Sequence, residues 1–528
     1  MPLYLGFDLS TQSLTAVVID SDRRTVVFGT SLAFDRDLPD YGTRSGVLPS
    51  IDPHVVHAPP AMWADALERI CAAVAARVEV SRIRAISGAA QQHGSVYMAR
   101  DLRSALAVGD VMDPIGPRVR AALARATAPV WLDGSTSAQC RALAVALGGG
   151  RTLRAITGSR ACERFTAAQI RKFAEDTPQA YARTARIHLV SSFMASLLIA
   201  GDAPVDAADA SGMNLMDIAT RRWSREAVDA AAAGLEARLP PIVESPTVIG
   251  PLAESWRRRF GFGAASVVAW TGDNPSTAVG LGLTRAGDLA VSLGTSDTVF
   301  GGCDADAIGA SDDGHVFASA MGGYMALVCF ANGSLARERI RDCCGLDWSG
   351  FAAALRKTGP NAGGAIVLPW LAAEITPIVR QAGLRTRGGA RLDAATMIRG
   401  FVEGQAFAMR LHSRWFAPDV QRIRAAGGAS ANRDILQIIA DVFEAEVLPG
   451  ATTNAAALGA ALRAWHGDRA AAGAPVSWDD LVTGFANTTA DAVRPVASHA
   501  AVYRRLFEEY EAFERECLAA DARASGCE

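Results

Sequence analysis

The sequence predicts an α/β protein built as two domains on one repeated plan, and three observations carry this. First, the apolar, β-branched run Ser266–Trp270 ends at Thr271-Gly272 and is followed at once by Asp273-Asn274-Pro275 and a string of small residues. That is a strand feeding a helix, with proline in the first helical turn, where its missing N–H costs nothing. Second, Gly6–Ile19 and Gly287–Phe300 read alike, each a strand, a hydroxyl-rich turn and a second strand. One such hairpin near the start of each half predicts a duplicated fold around a shared cleft. Third, 528 residues exceed one hydrophobic core, and half of them are apolar while a fifth are charged, a globular composition.

In order along the chain, Leu3–Asp20 is expected to be a hairpin whose polar turn spans Asp8–Ser13, and Thr25–Phe34 continues as strand. Asp35–Val47 is a long loop with Gly, Pro and Asp, of the length that is often functional. Pro60–Val78 has helical periodicity, with Met62, Ala66, Ile70 and Val74 on one face. Ile83–Ser87 is a short buried strand leading into a strand-end turn, Gly88–Tyr97. Trp131–Ser137 opens a helix with Asp or Ser caps, Gly158–Ile170 leads into another, and Ile187–Ile199 is an apolar core helix. Asp206–Asp217 reads as a small polar turn near the cleft. The Pro-rich stretch Leu239–Leu252 precedes the Ser266 strand, and the domain boundary is expected between them, giving domains 1–262 and 263–528. In the second half Ala394–His412 is a long amphipathic helix, and Ile423–Asp434 is strand, Gly-Gly turn and helix start. Asn454–Leu462 is a helix of small residues that packs close to its neighbour, and a last helix runs from about Val502 to Ala520, before a tail, Ser525–Glu528, expected to fray.

Composition narrows the function. A net charge of −3 argues against nucleic acid or an anionic membrane as partner, and no apolar run reaches the length of a bilayer span. The start of the chain has no basic segment of the secretory type. Nine scattered cysteines without a CxxC pair read as reduced thiols in a cytoplasmic protein. Lysine occurs only at Lys172 and Lys357, so both the P-loop GxxxxGK[ST] and the strand lysine of protein kinases are absent. A protein of this composition that handles ATP must hold phosphates with backbone N–H groups, hydroxyls and Mg²⁺.

The candidate chemistry sits at strand ends. Asp273, at the mouth of a strand-to-helix turn, is placed to accept a proton from a substrate hydroxyl; the alternative is a plain helix N-cap. Asp8 suits Mg²⁺ held partly through water, in a turn whose N–H groups form an anion nest; the alternative is an ordinary hairpin turn. Gln92 and His93 are able to hydrogen-bond a polyhydroxyl ligand, and Arg164 to reach a substrate oxygen unless it closes a helix-terminal salt bridge. Gly427-Gly428 lets a flat ligand approach the backbone closely.

Assembled, these motifs resemble the FGGY carbohydrate kinases of the actin-like ATPase superfamily. The pieces are Gly6-Phe-Asp-Leu-Ser-Thr-Gln12, Phe34-Asp-Arg-Asp-Leu-Pro39, Ser87-Gly-Ala-Ala-Gln-Gln-His-Gly-Ser95, Glu163-Arg-Phe-Thr166, Thr271-Gly-Asp-Asn-Pro275, Val291-Ser-Leu-Gly-Thr-Ser-Asp-Thr298, and Gly427-Gly-Ala-Ser430 with Asn432. Each is short, but their order and spacing along nearly the whole chain are specific. The resemblance implies two ribonuclease-H-like domains around a central cleft, with ATP and Mg²⁺ as cofactors. It implies phosphoryl transfer to a ketopentose, D-xylulose, in a monomer or homodimer. Asp273 then matches the catalytic base, and His93, Arg164, Asp273 and Asn274 the sugar contacts. Asp8, Ser10 and Thr11 fall in the first phosphate hairpin and Gly294, Thr295 and Ser296 in the second. Gly428, Ala429 and Asn432 match the adenosine site, with Trp348 stacking near the nucleotide. One departure is Ser10-Thr11 where many family members have Gly-Thr. Alternatives are a kinase for ribulose, glycerol or another polyol, and a non-catalytic actin-like sugar sensor.

Overall fold

A computed structural model describes residues 2–110, 112–285, 287–388, 392–450, 454–485 and 492–524, so the tail expected to fray lies outside the described residues. By their contacts the residues divide into two units: Met1–Thr284 with Val316–Tyr324 and Asn454–Ala486, and Arg285–His315 with Met325–Thr453 and Asn487–Glu528.

The first unit is organised on strands β1 (Leu3–Leu9), β2 (Ser13–Asp20), β3 (Thr25–Ala33), β4 (Ile83–Ala90), β5 (Val248–Pro251), β6 (Ser266–Val268) and β7 (Thr271–Gly272). They lie in the order β5-β6-β4-β1-β2-β3, with β7 also paired to β4. β1 runs antiparallel to β2 and parallel to β4, and β6 and β7 run parallel to β4. Period-two alternation explains β1. Leu3, Leu5, Phe7 and Leu9 enter one core with the helix Pro60–Ala75, while Tyr4 faces a second core with Ala457, Ala461 and Trp465 of the helix Ala455–Ala471. The small residues of that helix permit very close packing. A Cβ on Gly6 would stand 2.1 Å from the Ala457 carbonyl oxygen, and one on Gly459 would stand 1.9 Å from that of Ser276. On the other face Trp270 is fully buried and stacks on Phe7 at 5.7 Å. An indole of this kind buries about 150–250 Å², worth at most about 4–6 kcal/mol.

The second unit repeats the arrangement with β8 (Asp288–Leu293), β9 (Asp297–Cys303), β10 (Tyr324–Phe330), β11 (Arg422–Ala426) and β12 (Glu446–Pro449). Its path β10-β9-β8-β11-β12 has the same order as β3-β2-β1-β4-β6, with β8 antiparallel to β9 and parallel to β11, and β11 parallel to β12. The duplicated hairpins predicted from sequence are therefore the paired β1–β2 and β8–β9.

Several expectations need correcting. The contacts do not divide at 262/263: residues 263–284 belong to the first unit. The reason is pairing, since β6 and β7 add to β4, and the Pro-rich stretch placed just before the boundary supplies the edge strand β5, antiparallel to β6. Within Ile187–Ile199 the first residues are strand, because Arg186–Leu189 pairs with Ser95–Met98, and the helix starts at Val190. β4 continues to Ala90, so the turn there is confined to Gln91–Gly94. The helix Ser137–Ala146 has Thr136 as N-cap, with no side-chain cap bond. Asp133 instead accepts from the Val56 N–H at 2.9 Å and the Gln169 side-chain amide at 2.8 Å.

Candidate active site

In the first unit the ends of β1, β4 and β7 bring together Asp8, Gln92, His93, Asp273 and Asn274. Gly272 is the N-cap of the helix Asp273–Gly280, so Asp273 is the first helical residue rather than the cap. Its Oδ1 accepts two bonds from Asn274, from the backbone N–H at 2.8 Å and from Nδ2 at 3.1 Å. Oδ2 receives no donor among the described residues. Burial pushes the Asp273 carboxyl up to about 6. Asp8 Oδ1 is shut off from solvent without a hydrogen bond, and burial, then the charge of Asp273, pushes that carboxyl up to about 7. Two buried carboxyls of raised proton affinity, Asp8 feeling the charge of Asp273 and carrying an orphaned oxygen, fit a divalent cation that would offset both charges.

The sugar-contact positions are built differently from one another. His93 has a left-handed backbone, φ 70°, and stacks on Phe165 at 4.3 Å. Its Nδ1 lies 2.8 Å from the Gly212 carbonyl oxygen. Burial, then the Arg164 guanidinium, drives the imidazole pKa down to about 3. The ring is therefore neutral at physiological pH, donates through Nδ1–H to Gly212, and presents Nε2 as a lone pair. Gly212 is required here, since a Cβ would stand 2.6 Å from His93 Nδ1. The half-buried Arg164 forms no hydrogen bond or ion pair among the described residues, so the salt-bridge alternative is not met. Gln92, expected to face a ligand, turns its Oε1 to Asn274 Nδ2 at 2.9 Å.

The first hairpin turn is largely closed on itself. The Ser10 hydroxyl bonds to the Ser13 hydroxyl at 2.9 Å and the Ser10 N–H to the Ser13 carbonyl oxygen at 2.9 Å. Thr11 Oγ1 accepts from the Trp131 indole N–H at 2.8 Å and keeps its own proton to donate. The Asp35–Val47 loop braces this turn. Asp35 ties the loop to itself through the Thr43 hydroxyl at 2.7 Å and the Gly46 N–H at 3.1 Å, and a Cβ on Gly46 would stand 1.9 Å from the Thr11 carbonyl oxygen.

In the second unit Gly294, Thr295 and Ser296 form the β8–β9 turn, with Thr295 and Ser296 exposed. Asp297 at its base makes a buried two-pronged ion pair with Arg337, at 2.7 and 2.9 Å. The Gly427–Asn432 turn lies alongside, a Cβ on Gly427 falling 2.5 Å from the Leu293 carbonyl oxygen. Gly428 and Ala429 lie in its 3₁₀ turn, where a Cβ on Gly428 would meet only open space. Asn432 caps the helix Arg433–Phe443 through Oδ1, which accepts from the Asp434 N–H at 2.9 Å, leaving Nδ2 for other use. Trp348, 46% exposed, carries the Arg341 guanidinium over its ring at 4.4 Å.

Sequence reasoning missed a buried polar group beneath the first site. Arg463, fully buried, donates to the carbonyl oxygens of Ala269 and of Gly88, the latter at 3.1 Å. Asp206 accepts from Thr271 Oγ1 at 2.6 Å, and Asp209 from the Ser191 hydroxyl. No local signal marks it, since the same helix also carries His466, Asp468 and Arg469.

Comparison with known proteins shows the family. The chain matches the FGGY family of carbohydrate kinases through its N-terminal domain model over residues 123–280 and its C-terminal domain model over residues 289–467. It is 38% identical to a xylulose kinase of Mus musculus, over 98% of this chain and 95% of that protein. It is 39% identical to xylulose kinase 2 of Arabidopsis thaliana, over 88% of this chain and 87% of that protein. Its fold is similar to the crystal structure of a xylulose kinase from Rhodospirillum rubrum, with a TM-score of 0.81 at 20% identity, covering 98% and 99% of the two chains. Domain models that span both halves, and relatives alike over nearly the full length, make this chain a member of the FGGY family of carbohydrate kinases.

Proposed function

We propose that the protein transfers the γ-phosphoryl group of ATP to D-xylulose, giving D-xylulose 5-phosphate and ADP. The observation that supports this best is the state of Asp273. One carboxyl oxygen is fixed by both donors of Asn274 and the other is left unbonded, beside a second carboxyl with an orphaned oxygen. Asp273 Oδ2 takes the proton of the attacking hydroxyl as its oxygen bonds to phosphorus and the bond to ADP breaks. His93 Nε2 accepts a hydrogen bond from a sugar hydroxyl, and Arg164 donates to neighbouring sugar oxygens. Asp8 would hold Mg²⁺, which when bound neutralises charge on the phosphates. Thr11 donates to phosphate in the first hairpin, as do the exposed Thr295 and Ser296 and the Gly294 backbone in the second. Gly428, Ala429, Asn432 Nδ2 and Trp348 contact the adenosine. The eight free cysteines among the described residues suit a reducing compartment such as the cytoplasm. The test is ADP release with Mg²⁺-ATP and a panel of D-xylulose, D-ribulose and glycerol. D-xylulose should give the highest kcat/KM; a rate equal to that without sugar would sink the proposal.

A further inference from the structure

The buried pair Asp297–Arg337 has no place in that scheme, and stability alone gives little reason for it. Both residues are fully buried. A buried ion pair adds little over an apolar pair of similar volume, since both ions give up their water. What this one supplies is direction. Arg337 Nη1 donates to Asp297 Oδ2 at 2.7 Å and to Gln405 Oε1 at 3.1 Å. Nη2 donates to Asp297 Oδ1 and to the Ser334 hydroxyl, both at 2.9 Å. Only Nε is without a partner among the described residues. Gln405 is fixed in turn, its Nε2 donating to the Asn332 carbonyl oxygen at 2.6 Å, which leaves Oε1 to face Arg337. Both Asp297 oxygens accept, as those of an ionised carboxylate do; burial raises its proton affinity, and the guanidinium opposes that. A planar fork bonded to both oxygens allows one geometry.

The fork sits directly behind the Gly294–Ser296 turn. Asp297 follows Ser296, and Arg337 lies one turn into the helix Ser334–Cys343. The start of that helix backs the turn. The Ser334 N–H donates to the Gly294 carbonyl oxygen at 2.8 Å. A Cβ on Gly333 would stand 2.6 Å from the Thr295 carbonyl oxygen, 2.8 Å from that of Gly294 and 2.9 Å from the Asp297 nitrogen. Both carbonyls of the turn therefore face the helix. Across a trans peptide the following N–H points the opposite way, so those of Thr295 and Ser296 face the exposed side. Neither donates to another residue among those described. Two successive outward N–H groups make an anion nest. We propose that Arg337 is a positioning residue for the nucleotide phosphates: through Asp297 it holds the turn with its carbonyls inward and the Thr295 and Ser296 N–H groups outward. This rests on the reading of the turn as a phosphate contact. Without the fork the turn is free to roll, and the nest is no longer formed before the phosphate arrives.

Binding of Mg²⁺-ATP and of adenosine, which carries no phosphate, separates this role from a general loosening of the fold. Arg337→Lys keeps the buried charge but cannot form the fork. By calorimetry it should weaken ATP binding about tenfold or more while adenosine binding and the KM for D-xylulose stay within about twofold. The double variant Asp297→Leu with Arg337→Met removes the pair without leaving a lone buried charge, so its unfolding midpoint should stay close to wild type. ATP binding should fall in it equally, and it replaces Arg337→Lys if that variant does not fold. Wild-type ATP affinity in either folded variant overturns the proposal, as does an equal loss for ATP and adenosine. Ser296→Asp is run alongside and places a carboxylate on the exposed turn. If it leaves ATP binding unchanged, the turn does not meet phosphate, and the inference falls with that reading. If it weakens ATP binding while the two variants of the ion pair bind ATP normally, only the inference fails.

Discussion

Asp273 offers a single oxygen because Asn274 occupies the other, so the two residues divide one task. Asp273→Asn should remove about 10²–10⁴-fold of turnover while leaving ATP binding and the unfolding midpoint close to wild type, read by coupled ADP release and urea titration. His93 makes a different demand. Its ring is neutral, anchored through Nδ1 to Gly212 and stacked on Phe165, so its contribution is one lone pair on a fixed plane. His93→Phe keeps a ring of similar shape but has no acceptor. It should raise the KM for D-xylulose roughly ten- to hundredfold, the worth of one unpaired buried hydroxyl, without changing the KM for ATP. An equal rise in both constants would remove His93 from the sugar site.

At the scale of elements, the first site is held up by two helices that touch backbone to backbone. Gly280 and Gly459 meet where the helices Asp273–Gly280 and Ala455–Ala471 cross, a Cβ on Gly280 standing 1.9 Å from the Ala455 carbonyl oxygen. Gly459→Val should therefore force the helices apart, cost about 3 kcal/mol or more, and lower activity as Asp273 moves; denaturant unfolding and kcat together check it. The hairpins, the long helices and Asp273 at a strand-to-helix turn were legible in the sequence, since periodicity and turn chemistry are local. The domain boundary was not, because Leu239–Leu252 has the composition of a linker and becomes a strand only by pairing with β6. Arg463 was illegible for the same reason: it contacts Ala269, 194 residues away along the chain, and no local pattern encodes that. The use of Ser10 within its own turn and of Gln92 by Asn274 were hidden too, since sequence gives the donor types but not where each donor points.

At the scale of the whole molecule, one buried imidazole ties distant parts of the second unit. His412, in the helix Ala394–Ser413, lies 3.0 Å from Asp313 and 3.0 Å from Glu514 of the helix Ala500–Ala524. Burial works against its charge, but the bonds and charges of Asp313 and Glu514 win and raise the pKa to about 9. A folded-state pKa raised above the unfolded value means stability that is fully present below about pH 6.5 and lost as pH rises through about 9. The loss is of the order of 3 kcal/mol, and His412→Gln should flatten it: the variant should be less stable than wild type at pH 6 and nearly equal at pH 10 in thermal unfolding. A constant difference across that range would show that the histidine is uncharged.

The helix Ala455–Ala471 also sets a schedule. It covers the Tyr4 face of β1, the earliest strand of this sheet in chain order, yet it is encoded more than four hundred residues later. A nascent chain that has emerged through Thr284 holds every strand of the first sheet but not the helix that seals it. At the usual pace of translation the wait for residue 471 lasts roughly ten to forty seconds. During that interval Tyr4, Val17, Ile19 and Val268 face solvent or a chaperone. A fragment ending at Thr284 should accordingly bind a hydrophobic dye and aggregate, and the same fragment fused to residues 454–486 should do so less. The ribosome delivers this protein's first sheet long before it delivers the lid, and the cell must shelter one until the other arrives.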